Sequence, residues 1–415
     1  MRFIADFHIH SKYSRATSPQ MDLEHLDQAA KIKGVDVIST GDFTHPVWFK
    51  EIKDKLQEAE PGLFVLKNSK SGTRFILTTE ISCIYSKNGR VRKVHILIFA
   101  PDLATVEKIN THLEQIGNLR ADGRPILGLD AKDLAKIAWD INPECFVVCC
   151  HCWTPWFSVF GSKSGFDSLE ECFEEETKDI LAIETGLSSS PAMNWRLSAL
   201  DRVAIISCSD AHSPKNIARE ACVFDTELSY PAIIEAIKTK NPEKFLFTIE
   251  FFPEEGKYHY DGHRLCGVRL SPQETKKYRG LCPVCGRPLT VGVLNRVEEL
   301  ADRPEGFVPP GVIPFKSLVP LAEIIGAVLG VGIASKQVVQ HYEKLIKGLG
   351  SEANILLNVS IEDLKDTSPE VALAIDRMRQ GKIQVEPGYD GVYGKVGILP
   401  IEGKKDFMVR QQLLF

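Results

Sequence analysis

The segment Asp6-Phe7-His8-Ile9-His10 sets an acid and two imidazoles within five residues. Side chains alternate faces along a strand, so Asp6, His8 and His10 share one face and Phe7 and Ile9 the other. Such a face is either turned to water or is the first part of a metal site, since His is the commonest metal ligand. Residues of the same chemistry recur down the chain: Asp42 and His45 in VISTGDFTH, Glu80 in FILTTEIS, His95 in KVHILIF, His151 in FVVCCHCW, and Asp210 and His212 in AIISCSDAHS. Each stands at or just beyond the end of an apolar run. Imidazoles and carboxylates without thiolates suit Zn²⁺, Mn²⁺ or Fe²⁺ at a hydrolytic centre. A carboxylate able to bridge, surrounded by several His, suits two or three ions. Ions about 3.5–4 Å apart activate a water and clamp both oxygens of an in-line phosphoryl displacement.

A second constellation is built from thiols. GHRLCG and GLCPVCGRPL place His263 and Cys266 ahead of Cys282 and Cys285. CPVCG is the turn of a zinc knuckle, and two knuckles make a closed tetrahedral Zn²⁺ site. Cys266, Cys282 and Cys285 are three of the expected ligands; His263 is the best fourth by spacing and His259 the next. The chain therefore calls for two chemically separate metal sites. Of the remaining cysteines, Cys145, Cys149, Cys150 and Cys152 crowd one apolar strand and read as core thiols.

The elements that must position these residues follow from the pattern. Apolar runs at 2–9, 35–40, 74–80, 94–99, 145–150, 180–185 and 203–208 alternate with amphipathic stretches such as Leu23–Lys33 and Val47–Ala59. That alternation predicts βα units and a mainly parallel sheet or barrel, whose strand ends converge on one face. Asn88-Gly89 is a two-residue hairpin turn. With those two residues at the turn, Ser82 lies opposite His95, and Glu80 is on the same face as His95, offset by about 7–8 Å. From about residue 251 the texture becomes loop-rich and dense in Cys and His. After about 305 a Pro-rich link leads into helical segments. The organisation expected is thus a barrel over 1–250, a zinc-binding module over 251–304 and a helical region over 305–415. Leu318–Ala334, the most apolar run, reads as a buried helix pair, being short and interrupted for a bilayer.

Composition narrows the class. The chain has 415 residues, 44% of them hydrophobic and 25% charged, as in an ordinary soluble globular protein. Its net charge of −5 carries no footprint of constitutive nucleic-acid binding, although carboxylates that hold cations weigh negative in that sum. No secretory signal is expected, and eleven scattered cysteines suit a reducing cytosol.

The order His-x-His, Thr-x-Asp-x-x-His, a strand-ending Glu, two isolated His, and Asp-x-His after IISCS resembles the PHP phosphoesterase superfamily. The resemblance implies a distorted seven-stranded (β/α) barrel with two or three divalent ions (Zn, Mn or Mg). It implies that His8, His10, Glu80 and Asp210 hold one ion and that Glu80, His95 and His151 hold a second. His212 would help hold a third, completed by Asp42 or His45. Asp6, one step further inside, would orient a ligand imidazole. Beyond residue 250, HYDGHRLCGVRLSP, LCPVCGRPLTVGVLNRVEELADRP and EGFVPPGVIPFKSLVPLAEIIG resemble the endonuclease Q family, so the likeness runs over nearly the whole chain.

That family implies a nuclease of DNA repair that nicks 5′ to deaminated bases (uracil, hypoxanthine, xanthine) and abasic sites, with damaged DNA as partner. Asp210, Glu80, His8 and His10 would carry catalysis. Reading a damaged base means taking it out of the stack. Trp153 and Trp156, directly after His151, and Tyr389 and Tyr393 in GYDGVYGK are the candidates for stacking, against the plain alternative of core packing. Lys163 and Lys395 are the candidates for phosphate. Eight Lys and Arg between 257 and 296 make the zinc region locally basic, a surface suited to tracking a phosphate backbone. The terminal RQQLLF resembles the start of a sliding-clamp box. The competing readings are a small-molecule phosphatase on the same barrel and a catalytically silent nucleic-acid-binding barrel. No membrane partner is expected.

Overall fold

All seven apolar runs form strands in the computed structural model, which describes residues 1–398 and 408–409. They are β1 (Arg2–Asp6), β2 (Val37–Ser39), β3 (Arg74–Lys87), β4 (Arg90–Ala100), β5 (Phe146–Cys149), β6 (Ala182–Glu184) and β7 (Ala204–Ile206). Their spatial order is β7-β6-β5-β4-β3-β2-β1. β1, β2 and β3 are parallel, as are β5, β6 and β7, while β4 runs against both its neighbours. The sheet curls back on itself: beyond β1, Ile9 forms a parallel bridge with Ala211 beyond β7, and the His10 N–H donates to the Ala211 carbonyl at 3.0 Å. β8 (Ala221–Asp225), β9 (Phe245–Glu250) and β10 (Phe315–Ser317) continue the sheet from the other edge of β1. The result is a distorted barrel whose seam closes beside the site residues.

The strands read as unbroken apolar runs because both of their faces are buried. Phe7, Leu97, Phe99, Phe146, Val148 and Ile206 fill the barrel. Ile38, Leu77, Ile96, Ile98, Val147 and Ile183 face the surrounding helices. Cys145, Cys149, Cys150 and Cys152 are buried free thiols within these layers.

The hairpin has the expected register, with Ser82 opposite His95. Two local expectations need correction. The amphipathic stretch at 47–59 is a helix only over Pro46–Lys55; Leu56–Glu60 then pairs with Leu63–Leu66. The turn between them needs Gly62, whose φ is +69°, so backbone pairing ends the helix early. Leu318–Ala334 holds one helix, Leu321–Leu329, closed by Gly330 in the left-handed conformation, and its partner helix is Lys336–Leu349 beyond the run.

Past β9, the antiparallel pair Asp261–His263 and Val268–Leu270 carries the Cys/His segment. Helix Val293–Leu300 docks that segment on the barrel through Val293 and Val297. Five helices between Leu321 and Arg379 cover Ala221, Val223, Phe247 and Ile249 of β8 and β9. Strands Ile383–Glu386 and Lys395–Ile398 follow. Among the described residues, no helix is long and apolar enough to cross a membrane. Residues 410–415, with the clamp-like RQQLLF, lie outside the described residues.

Candidate metal centre

β1 and β7 end together, so the residues just past them meet at the mouth of the barrel. His8 and His10 are fully buried there, and Asp210 reaches across from the β7 side. His10 Nε2 is 3.1 Å from both Glu80 Oε2 and Asp210 Oδ1. His8 Nε2 is 3.6 Å from Glu80 Oε2 and 3.8 Å from Asp210 Oδ1. The other oxygen of Glu80 faces His95 Nδ1 at 2.5 Å and His151 Nε2 at 3.1 Å. His8, His10, Glu80 and Asp210 thus form one group with ligand atoms within 4.8 Å of one another, and Glu80, His95 and His151 form a second. Glu80 belongs to both.

The chemistry of the mouth fits divalent cations. His8 Nε2, His10 Nε2 and Asp210 Oδ1 are buried without a hydrogen-bond partner, and they converge. Buried polar atoms are ordinarily paired, so such an orphaned set points to a missing positive charge. Burial alone would raise the Glu80 carboxyl, but His95, Arg124 and His8 outweigh it and hold it well below the usual range. Asp210 is likewise held low against its burial by His212, His10 and His8. Both carboxylates are therefore ionised and facing imidazoles. Asp42, His151 and Asp210 all adopt positive φ (47°, 29° and 46°), a strained conformation for non-glycine residues that clusters at functional sites.

Two residues outside the ligand groups, Glu184 and Arg124, support the centre. Glu184, at the end of β6, accepts from His8 Nδ1 at 2.9 Å and fixes its Nε2 toward the centre. The strand-end rule that picked out Glu80 applies equally to Glu184 in LAIET. Arg124, in the loop RADGRP, donates from Nη1 to Glu80 Oε2 at 3.0 Å; no motif marks it.

Asp6 does not orient an imidazole. It accepts the backbone N–H groups of Ser209 and Ala218, both at 3.0 Å, and so braces the loop that carries Asp210.

Asp42 and His45, the residues expected to complete a third ion site, both have protein partners. Asp42 binds His10 Nδ1 at 3.0 Å through one oxygen and takes the Ser11 N–H and the Ser11 and Ser14 hydroxyls on the other. It orients His10. His45 caps the helix Pro46–Lys55, accepts from the Trp48 N–H at 3.4 Å and stacks on Tyr13. His212 stands at the rim, its Nδ1 2.9 Å from the Asp210 carbonyl and its ring 4.5 Å from that of His10.

The aromatic candidates separate. Trp153 is fully buried and donates to Asn194 Oδ1 at 2.8 Å, so it is a core residue rather than a stacking surface. Trp156 is 42% exposed with its edge on Tyr258, and Lys163 is exposed. Tyr389, Tyr393 and Lys395 line a cleft of about 780 Å³ together with Arg269. Lys395 lies 3.7 Å from Glu386 there. Of the basic residues near the zinc segment, Arg296 is buried and binds Asp167 and two barrel carbonyls, so it docks the module instead of facing solvent.

The thiol constellation forms a compact group: one ligand atom each from His263, Cys266, Cys282 and Cys285 lies within 4.8 Å of the others. Desolvation opposes ionisation of Cys282, but the backbone N–H groups of Cys285 and Val284 draw its thiol below the ordinary value. His259 is not part of the group; it is buried, stacked on Tyr260, and burial pushes its imidazole down to about 4.

A sequence profile of the MJ0043 C-terminal domain matches residues 320–382. The uncharacterised protein MJ0043 of Methanocaldococcus jannaschii is 35% identical over 260 residues, which are 60% of this chain and 32% of that protein. The chain thus spans about a third of that relative. Two crystal structures match almost end to end. The lesion-specific endonuclease PfuEndoQ of Pyrococcus furiosus superposes with a TM-score of 0.86 at 32% identity, over 95% of each chain. Endonuclease Q in complex with a 27-mer duplex substrate carrying an abasic lesion superposes at 0.84 and 32% identity, over 95% of this chain and 96% of that one. At this identity and coverage, from the barrel mouth through the thiol cluster to the C-terminal helices, the chain belongs to the endonuclease Q family.

Proposed function

We propose that this protein is a metal-dependent DNA repair endonuclease that hydrolyses the phosphodiester 5′ to a lesion, with abasic sites and the deaminated bases uracil, hypoxanthine and xanthine as its substrates. The observation that carries the reading is the pair of His/carboxylate groups sharing Glu80, set in a chain that matches endonuclease Q over nearly its full length. His8, His10, Glu80 and Asp210 hold one cation, and Glu80, His95 and His151 a second. Divalent ions bound there, Zn²⁺, Mn²⁺ or Mg²⁺, supply an activated water and charge stabilisation for in-line displacement at phosphorus. A water oxygen adds to phosphorus and the 3′ oxygen leaves, so the nick has 3′-hydroxyl and 5′-phosphate ends. Glu184 and Asp42 hold the two barrel imidazoles in the tautomers that present Nε2. His212 at the rim meets the substrate side of the centre.

His263, Cys266, Cys282 and Cys285 hold a structural Zn²⁺ that folds the module beside the barrel. Exposed Trp156 and the half-buried Tyr389 and Tyr393 are the surfaces for an extruded base, with Lys163 and Lys395 for phosphate. Protein of this kind acts on chromosomal DNA in the cytoplasm.

The test is an end-labelled duplex containing uracil, hypoxanthine, an abasic site or no lesion, incubated with Mg²⁺, Mn²⁺ or Zn²⁺. Cleavage 5′ to the lesion that vanishes in Asp210→Asn is the expected result. Equal cutting of undamaged DNA, or hydrolysis of small phosphate monoesters alone, overturns the reading.

A further inference from the structure

We propose that Arg124 is a catalytic residue of this site: its guanidinium takes the non-bridging oxygens of the scissile phosphate and neutralises the charge that builds as phosphorus becomes five-coordinate. The inference rests on the phosphodiesterase reading above and assigns a role to a side chain outside the ligand groups.

Among the described residues, Arg124 supplies the one Lys or Arg side chain hydrogen-bonded to a carboxylate of the centre, from Nη1 to Glu80 Oε2 at 3.0 Å. A guanidinium has five N–H donors in a planar fork, matched to the paired oxygens of a phosphate. The other donors of this fork have no protein partner among the described residues, and a quarter of the side chain (25%) is open to solvent. The fork therefore borders the mouth with donors to spare.

Its backbone is fixed on both sides. Asp122 accepts the Arg124 N–H at 3.1 Å and the Arg15 N–H at 3.3 Å, and pairs with the Arg15 side chain. The Gly123 N–H donates to the Tyr13 carbonyl, and the Ser82 N–H to the Pro125 carbonyl, both at 3.0 Å. Ser82 is two residues from Glu80 on β3. A side chain at Gly123 would meet Asp42 Oδ2 at 2.3 Å, so only glycine lets this loop lie so close to the centre. Donors held rigidly where negative charge develops are worth far more than mobile ones.

Charge balance points the same way. Glu80 already faces four imidazole contacts. With divalent ions in place, a guanidinium beside it is surplus positive charge until a further anion arrives, and the phosphodiester is that anion. Arg124 stays protonated throughout. The bond formed is from water oxygen to phosphorus, the bond broken is from phosphorus to the 3′ oxygen, and the water's protons go to solvent and the leaving oxygen.

The holoenzyme is tested as wild type, Arg124→Ala and Arg124→Lys. Single-turnover cleavage of a lesion duplex, metal content per chain and affinity for that duplex in EDTA are measured. Arg124→Ala should lose about 10²–10³-fold in rate, far more than it loses in DNA affinity, with metal content unchanged and with partial rescue by added methylguanidine. Arg124→Lys, which keeps the charge without the fork, should recover only a small part. Cleavage by Arg124→Ala at the wild-type rate overturns the inference alone. So does loss of a metal equivalent without guanidinium rescue, which would make Arg124 a holder of Glu80. Wild-type protein that cuts no lesion duplex removes the nuclease reading, and this inference falls with it.

Discussion

Two buried glutamates at the barrel mouth do different work, and the same substitution tells them apart. Glu80 presents one oxygen to His8 and His10 and the other to His95 and His151. Glu80→Gln keeps the shape but halves the acceptors and removes the charge that both ligand groups share. It should empty both barrel positions, leaving one metal per chain by mass spectrometry, and reduce cleavage to that of a chelated control. Glu184 binds the far nitrogen of His8. Glu184→Gln can still accept from Nδ1–H, so it should weaken metal affinity or activity by only about 10–100-fold, the usual cost of a disturbed outer partner. Equal defects in the two variants would contradict this division. His8, His10, Glu80 and Asp210 were legible in the sequence because the period of two and the strand-end rule place a side chain on a face and at a mouth. Neither rule says what lies beside it. Asp6 shares its face with His8 and His10, yet it meets backbone amides of the Asp210 loop, because that loop, 200 residues later, passes closest to it.

Elements were legible where local pairing decides them. Asn88-Gly89 set the β3/β4 register to the residue, and so put Glu80 and His95 on one ion's reach. The amphipathic pattern after His45 runs past the end of the helix, since the strand Leu56–Glu60 that ends it depends on the turn at Gly62. Loops carry no period, so Arg124 was invisible. The Cys/His module is the opposite case: the spacing of His263, Cys266, Cys282 and Cys285 marks them as a set, and the structure gathers them within 4.8 Å. Its apolar cluster is small, Leu270, Cys282 and Leu289 with Cys266 and Val268 packed on it. Holding the proposed Zn²⁺, such a segment would depend on that ion for folding. Cys282→Ser should therefore remove one metal equivalent and add a low-temperature transition in a thermal melt, while the barrel keeps its own ions. Retention of full metal content and a single unchanged transition would show that packing alone holds the module. Helix Val293–Leu300, docked through Val293 and Val297, should stay with the barrel in that variant.

At the scale of the whole molecule, the family likeness was legible across the chain, but how the C-terminal helices join the barrel was not, because that contact is made by residues far apart in sequence. The helices cover the apolar face of β8 and β9, and at the edge of this contact Glu323 is buried beside Arg219, Lys33 and Glu352. Burial is the largest influence on its carboxyl, the Glu352 carboxylate adds to it, and Arg219, Lys33 and Lys215 oppose; together they raise it from 4.5 to about 7. Glu254 and Glu255, also raised by burial, lie on the same side. The folded chain thus binds this proton more tightly than the unfolded chain. The stability it confers is complete below the ordinary carboxyl range and is lost as pH rises through about 7. Glu323→Gln, whose amide cannot ionise, should melt with the wild type near pH 4 and above it at about pH 8.5, the gap opening between 4.5 and about 7 and staying level beyond. Parallel melting curves at both pH values would mean that Glu323 is ionised in the folded protein and matched by Arg219 and Lys33. The junction would then be held by an ion-paired network instead of a protonated acid.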